Sequence, residues 1–159
     1  MASHASPLKQ PGKMISVLNV SSDVDALYFS SRVMRAAGYR VMESEGLLDT
    51  LHLLRQKPDL LVLDVRQDNE GNGLHCGVCN AIRQGDMQAG LPILRLTAQG
   101  HEHCVSPACL LHSRRKSLLW PAGGSELLAA VQDLVPIEHP PPPPAVVAVP
   151  ATDGVGTKR

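Results

Sequence analysis

The chain has 159 residues, 43% of them hydrophobic and 19% charged, enough for one domain with a buried core and too few for two. Fifteen Lys and Arg balance fifteen Asp and Glu, so no overall field draws it to nucleic acid or anionic lipid. Aromatic residues make up only 3%, too few for a base-stacking platform or a sugar cleft, which makes the core aliphatic.

Residues 1–13 are polar, carry Pro7, Pro11 and Gly12 and have no periodicity, and so read as a disordered lead-in. Ile15–Val20 is a short apolar strand. Ser21, Ser22 and Asp23 supply cap-type residues for a helix whose apolar positions, Ala26, Phe29, Val33, Met34 and Ala37, recur until Gly38 ends it. Tyr39–Glu43 is a second strand, and Leu47, Leu48, Leu51 and Leu54 form a helical stripe that stops before Pro58. Asp59–Val65, DLLVLDV, is apolar on both faces, as a central parallel strand is. Leu74–Arg83 reads as a third helix, Pro92–Thr97 as a fourth strand, Ser106–Ser113 as a poorer helix and Ser117–Trp120 as a fifth strand. Ser125 caps a last helix carrying Leu127, Leu128, Val131 and Leu134. Residues 136–159 follow, with an unbroken run Pro140–Pro144 that forms neither helix nor buried face and reads as a polyproline or disordered tail or linker.

Strict alternation of strand and helix over residues 14–135 gives an α/β class. The expected architecture is flavodoxin-like: a doubly wound, five-stranded parallel sheet, (βα)5, in three α/β/α layers. Any site then lies at the carboxyl ends of the strands.

The pieces NVSSDVDALYFSSRVMRAAGYRV, KPDLLVLDV, GVCNAIR, LPILRLTA and LLWPAGGSELLAAVQDLV resemble, in order and nearly in spacing, the receiver (response regulatory) domain of bacterial two-component response regulators. The closest likeness is to receivers attached to sensor histidine kinases. The resemblance implies phosphorelay signalling in which Asp64, at the end of the third strand, accepts a phosphoryl group from a phosphohistidine. It places Thr97 at the hydroxyl position that binds a phosphoryl oxygen. The acidic pair that holds Mg²⁺ in the family is replaced by Ser21 and Ser22, neutral ligands for a hard cation, so Mg²⁺ binding is expected to be weak or absent. The family's lysine is replaced by Trp120, and the aromatic three residues earlier by Ser117, so phosphoryl pairing and ring rotation both lack their parts. Asp23, Asp25, Asp68 or Glu70 could supply a carboxylate and Arg66 or Lys116 a charge to a rearranged site. Trp120 is expected to pack over the emptied crevice. The reading that follows is a degenerate receiver, not an enzyme in its own right, that docks a histidine kinase, a phosphotransfer protein or an output domain.

Bland roles compete with these. Asp64 as a loop cap, Thr97 as a strand residue and Ser21 and Ser22 as helix caps are all ordinary. The alternative of another class is a metal-binding or redox-sensing protein built on Cys76, Cys79, Cys104 and His103, with His75, His101, Cys109 and His112 nearby, since thiolate and imidazole are zinc's ligands. Burial of these cysteines as small hydrophobes is the simpler account. A flavodoxin-type cofactor site lacks its glycine-rich phosphate loop, because NVSSD after the first strand has no glycine. The basic run Arg114, Arg115 and Lys116 reads as a solvated loop, with no nucleic-acid role.

No apolar run approaches the roughly twenty residues that span a bilayer, and the first dozen residues have no secretory apolar stretch, so a cytoplasmic location without membrane contact is expected. The four cysteines are then expected to be reduced thiols, not a disulfide scaffold.

Overall fold

The computed structural model describes residues 14–66, 77–78, 80–82, 90–98 and 115–138. Five strands, β1 (Ser16–Val20), β2 (Arg40–Ser44), β3 (Leu60–Asp64), β4 (Ile93–Thr97) and β5 (Arg115–Leu119), form one sheet in the order β2-β1-β3-β4-β5. Every pairing is parallel. Three helices can be bounded: α1 (Val24–Ala36), α2 (Leu47–Leu54) and α3 (Gly124–Leu134). Residues 77, 78 and 80–82 are also helical, within the third predicted helix. The expected parallel α/β sheet of flavodoxin-like order is therefore present, while the helix placed at Ser106–Ser113 lies outside the described residues.

The two-residue period of the strands divides the core into two layers. Leu18, Val20, Leu61, Leu63 and Ile93 point to one face, where Leu54 of α2, Val78 and Ile82 cover them. Val17, Val41, Leu60, Val62, Leu94 and Leu96 point to the other, against Met34 of α1 and Leu127, Ala130 and Val131 of α3. All five residues of β3 are buried, which is why LLVLD needs apolar side chains on both faces. Burying one such leucine contributes about 1.5–3 kcal/mol.

Two boundaries differ from the sequence reading. β5 begins at Arg115 and ends at Leu119, so Trp120 lies beyond the strand and not at its end. An edge strand tolerates Arg115 and Lys116, whose charges masked it in the apolar pattern. The last helix is capped at Gly123 and not at Ser125, which lies inside it; the Gly123 N–H donates to Glu126 Oε1 at 2.9 Å. Ile137, assigned to the tail by composition, packs against the α1-side cluster. The buried Tyr39 donates from Oη to the Val135 carbonyl at 2.7 Å, tying the end of the domain to the start of β2. Its phenol is pushed up to about 12 by burial.

Candidate functional site

The strand order reverses between β1 and β3, so the loops leaving these two neighbours open a crevice at the carboxyl edge of the sheet. Asp64 ends β3 there, with its side chain almost wholly buried. From the β1 side, Ser21 Oγ donates to Asp64 Oδ2 at 2.6 Å. From the β3 side, the Arg66 guanidinium folds back on Asp64 as a fork: Nε donates to Oδ1 at 2.8 Å and Nη2 to Oδ2 at 2.6 Å. The Arg66 backbone N–H adds a donor to Oδ1 at 3.1 Å. The four donors use the roughly four acceptor positions that a carboxylate offers.

Arg66 Nη2 also reaches Asp23 Oδ2 at 2.9 Å. Asp23 is the N-cap of α1: its Oδ1 accepts the backbone N–H of Asp25 at 3.0 Å and of Ala26 at 3.2 Å. One carboxylate thus caps a helix with one oxygen and meets the guanidinium with the other. The Arg66 hydrogen bond, followed by the Ala26 N–H, holds the Asp23 carboxyl below the ordinary aspartate range. Asp64 foremost, and Asp23 after it, raise the basicity of Arg66, so the cation is fixed in its charged form.

No protein-family profile matches the sequence, and no curated protein matches it either. Solved structures do. A protein assigned as a response regulator in Chloroflexus aurantiacus J-10-fl is 28% identical, over 77% of this chain and 98% of its own, with a TM-score of 0.63. The chain has the fold of a response-regulator receiver domain. Two further receivers share the fold at lower identity. The chemotaxis protein CheY4 of Vibrio cholerae is 20% identical over 77% of this chain and all of its own, with a TM-score of 0.62. The receiver domain of NtrX from Brucella abortus is 14% identical over 75% of this chain and 97% of its own, also at 0.62.

Of the positions singled out in the sequence, the fold brings together Asp64, Ser21, Asp23 and Arg66. Ser22 is exposed and Asp25 is exposed. Ser21 and Ser22 do not serve as helix caps, because Asp23 takes that place. Thr97 is buried and donates to the Leu118 carbonyl across the β4–β5 pair at 3.4 Å, and no bond among the described residues joins it to Asp64. Lys116 turns to Asp133 at 3.1 Å on the exposed side of β5. Trp120, expected over the crevice, directly follows β5. Its ring meets Phe29 of α1 edge-on, with centroids 5.9 Å apart, and it packs on the α1-side cluster. Asp68, Glu70, Cys76, Cys79, His103 and Cys104 lie outside the described residues; among the described residues no group of three or more His, Cys, Asp or Glu could hold a metal ion. No helix among the described residues is long and apolar enough to cross a membrane.

A divalent cation fits this donor set poorly. The gap between Asp23 and Asp64, where two carboxylates would bind it, is bridged by Arg66 Nη2. Mg²⁺ needs oxygens at about 2.0–2.1 Å in near-octahedral order, and the guanidinium occupies that ground.

The sequence offered Asp23 as a cap and a carboxylate, and Arg66 as a charge, for a rearranged site, but not the contact that joins them. The detectable signal was an arginine two residues beyond the strand-end aspartate, near enough to form a fork with it. The Phe29–Trp120 contact gave no such signal.

Proposed function

We propose that this receiver is a protein-docking module in two-component signalling whose Asp64 is neutralised by its own Arg66 instead of by Mg²⁺ and a phosphoryl group. The observation that supports this reading is the saturation of Asp64 by four donors. In-line attack on a phosphoryl donor needs a carboxylate oxygen with a free lone pair and a cation to hold the transferred group. Here each oxygen already accepts two bonds, and the cation belongs to the protein.

The neutral Ser21 and Ser22, the indole at Trp120 and the turning of Thr97 toward Leu118 point the same way. Asp64 remains the candidate phosphoacceptor by position, and an attack would require Arg66 to swing out first. In this reading the chain has no catalytic activity of its own, needs no Mg²⁺, and meets a histidine kinase, a phosphotransfer protein or an output domain in the cytoplasm.

The test is calorimetric binding of the chain and of Asp64→Asn to a histidine kinase or phosphotransfer protein of the same organism, with and without acetyl phosphate and MgCl2. Equal affinities in all four combinations support phosphorylation-independent docking. Acetyl phosphate that changes the affinity of the wild type alone overturns it.

A further inference from the structure

Helix α1 buries Ala26, Leu27, Ser30, Ser31 and Met34 against the sheet. An amphipathic surface helix turns a polar face to water, yet α1 shows a second face built of Tyr28, Phe29, Arg32, Val33 and Ala36. These residues line an open cavity of about 340 Å³. Tyr28 is 62% exposed and Phe29 39%. The Arg32 guanidinium lies 5.5 Å from the centre of the Tyr28 ring, which orients an aromatic surface bordered by five donors. An exposed aromatic and aliphatic groove of this kind marks a docking site.

The chain itself supplies an occupant of fitting chemistry. α3 packs on α1, the Tyr39–Val135 bond fixes its carboxyl end, and Ile137 packs on the same cluster as Val33 and Ala37. Glu138 therefore leaves the domain beside the carboxyl end of α1. Pro140 is two residues further on, within about 7 Å of extended chain. The run Pro140–Pro144 has no N–H donors and offers five carbonyls as acceptors. In polyproline geometry it measures about 15 Å at 3.1 Å per residue. The groove from Ala36 back to Tyr28 is about 12 Å long at 1.5 Å per residue. Proline runs bind aromatic-lined grooves whose side chains donate to their carbonyls.

We propose that Pro140–Pro144 docks along α1 of the same chain, stacking on Tyr28 and Phe29 and accepting hydrogen bonds from Arg32 and the Tyr28 hydroxyl. A short tether gives the run a local concentration in the millimolar range, so a partner that uses this face of α1 must displace it. The inference is independent of the Asp64 site, and its failure leaves that reading untouched.

The experiment compares amide spectra of the full chain labelled with ¹⁵N, as wild type, with Pro140–Pro144 replaced by five serines, and as Tyr28→Ala. Tyr28 is mostly exposed, so its truncation leaves the fold in place. Docking predicts that the serine variant moves the amides of Tyr28, Arg32 and Ala36 by more than a line width, while those of α2 stay. It also predicts that Tyr28→Ala moves Ala145 and Val146. All these shifts should be unchanged on tenfold dilution. Amides of α1 that ignore the loss of the prolines overturn the proposal. Shifts that fade on dilution also overturn it, and assign the groove to the tail of a second copy.

Discussion

Arg66 grips both carboxylate oxygens of Asp64, with Nε on Oδ1 at 2.8 Å and Nη2 on Oδ2 at 2.6 Å. The side chain of Asp64 is 1% exposed and that of Arg66 16%, so the pair is screened little by water. In such a setting the geometry decides whether the pair stabilises, and loss of one partner leaves a buried charge.

Arg66→Ala should accordingly destabilise the fold by about 3–5 kcal/mol, read as a shift of the urea midpoint at neutral pH. Arg66→Lys restores charge without the fork and should recover only part of this. With the guanidinium gone, Asp23 and Asp64 face each other across an open gap. Millimolar MgCl2 should then raise the midpoint of Arg66→Ala and leave that of the wild type in place. A wild-type midpoint that rises with MgCl2 to the same extent would mean that a metal binds beside Arg66.

Asp23 has two roles that can be separated. Asn caps helices about as well as Asp, so Asp23→Asn keeps the cap and removes the charge that meets Arg66. With a side chain about a third exposed, the ion pair should contribute no more than about 1 kcal/mol. The folded-state carboxyl is held below its ordinary value. Its contribution is therefore complete above about pH 4, the unfolded value, and is lost as pH falls through the lower folded value. Stability of wild type and variant, measured by urea titration between pH 7 and pH 2.5, should differ at the upper end and converge at the lower. A gap that is constant with pH would assign the whole effect to capping.

Tyr39 behaves in the opposite sense at the alkaline end. Its phenol is raised from 10.0 to about 12 by burial, so the neutral folded form is stabilising below about pH 10 and that stability is lost as pH rises toward 12. Tyr39→Phe should cost about 1 kcal/mol at pH 8, from the bond to the Val135 carbonyl. The deficit should shrink above pH 10 and change sign before pH 12 in thermal melts, because the rise of the phenol from 10.0 to about 12 outweighs it. A deficit that persists unchanged to pH 12 would show that the Tyr39 phenol titrates alike in the folded and the unfolded chain.

The sequence carried the sheet well because its signals are local. DLLVLDV has a run of buried apolar residues that only a central parallel strand uses, and Gly38, with φ of 105°, ends α1 where a glycine is needed. β5 was misplaced because an edge strand accepts Arg115 and Lys116, and the start of α3 because a backbone N–H to Glu126 replaces a capping side chain. At the site, Asp64 was legible from its place at a strand end. The Arg66–Asp23 contact was not, since it joins residues 43 apart through the β1–β3 pairing, which no local pattern encodes.

The most direct test of the account is the intact mass of the chain after incubation with acetyl phosphate and MgCl2, beside Asp64→Asn as control. With both oxygens of Asp64 saturated by Ser21 and Arg66, the folded wild type should gain no phosphate-sized increment. An increment in the wild type that is missing from Asp64→Asn would contradict the account, and would show that Arg66 leaves Asp64 readily enough for the site to accept a phosphoryl group.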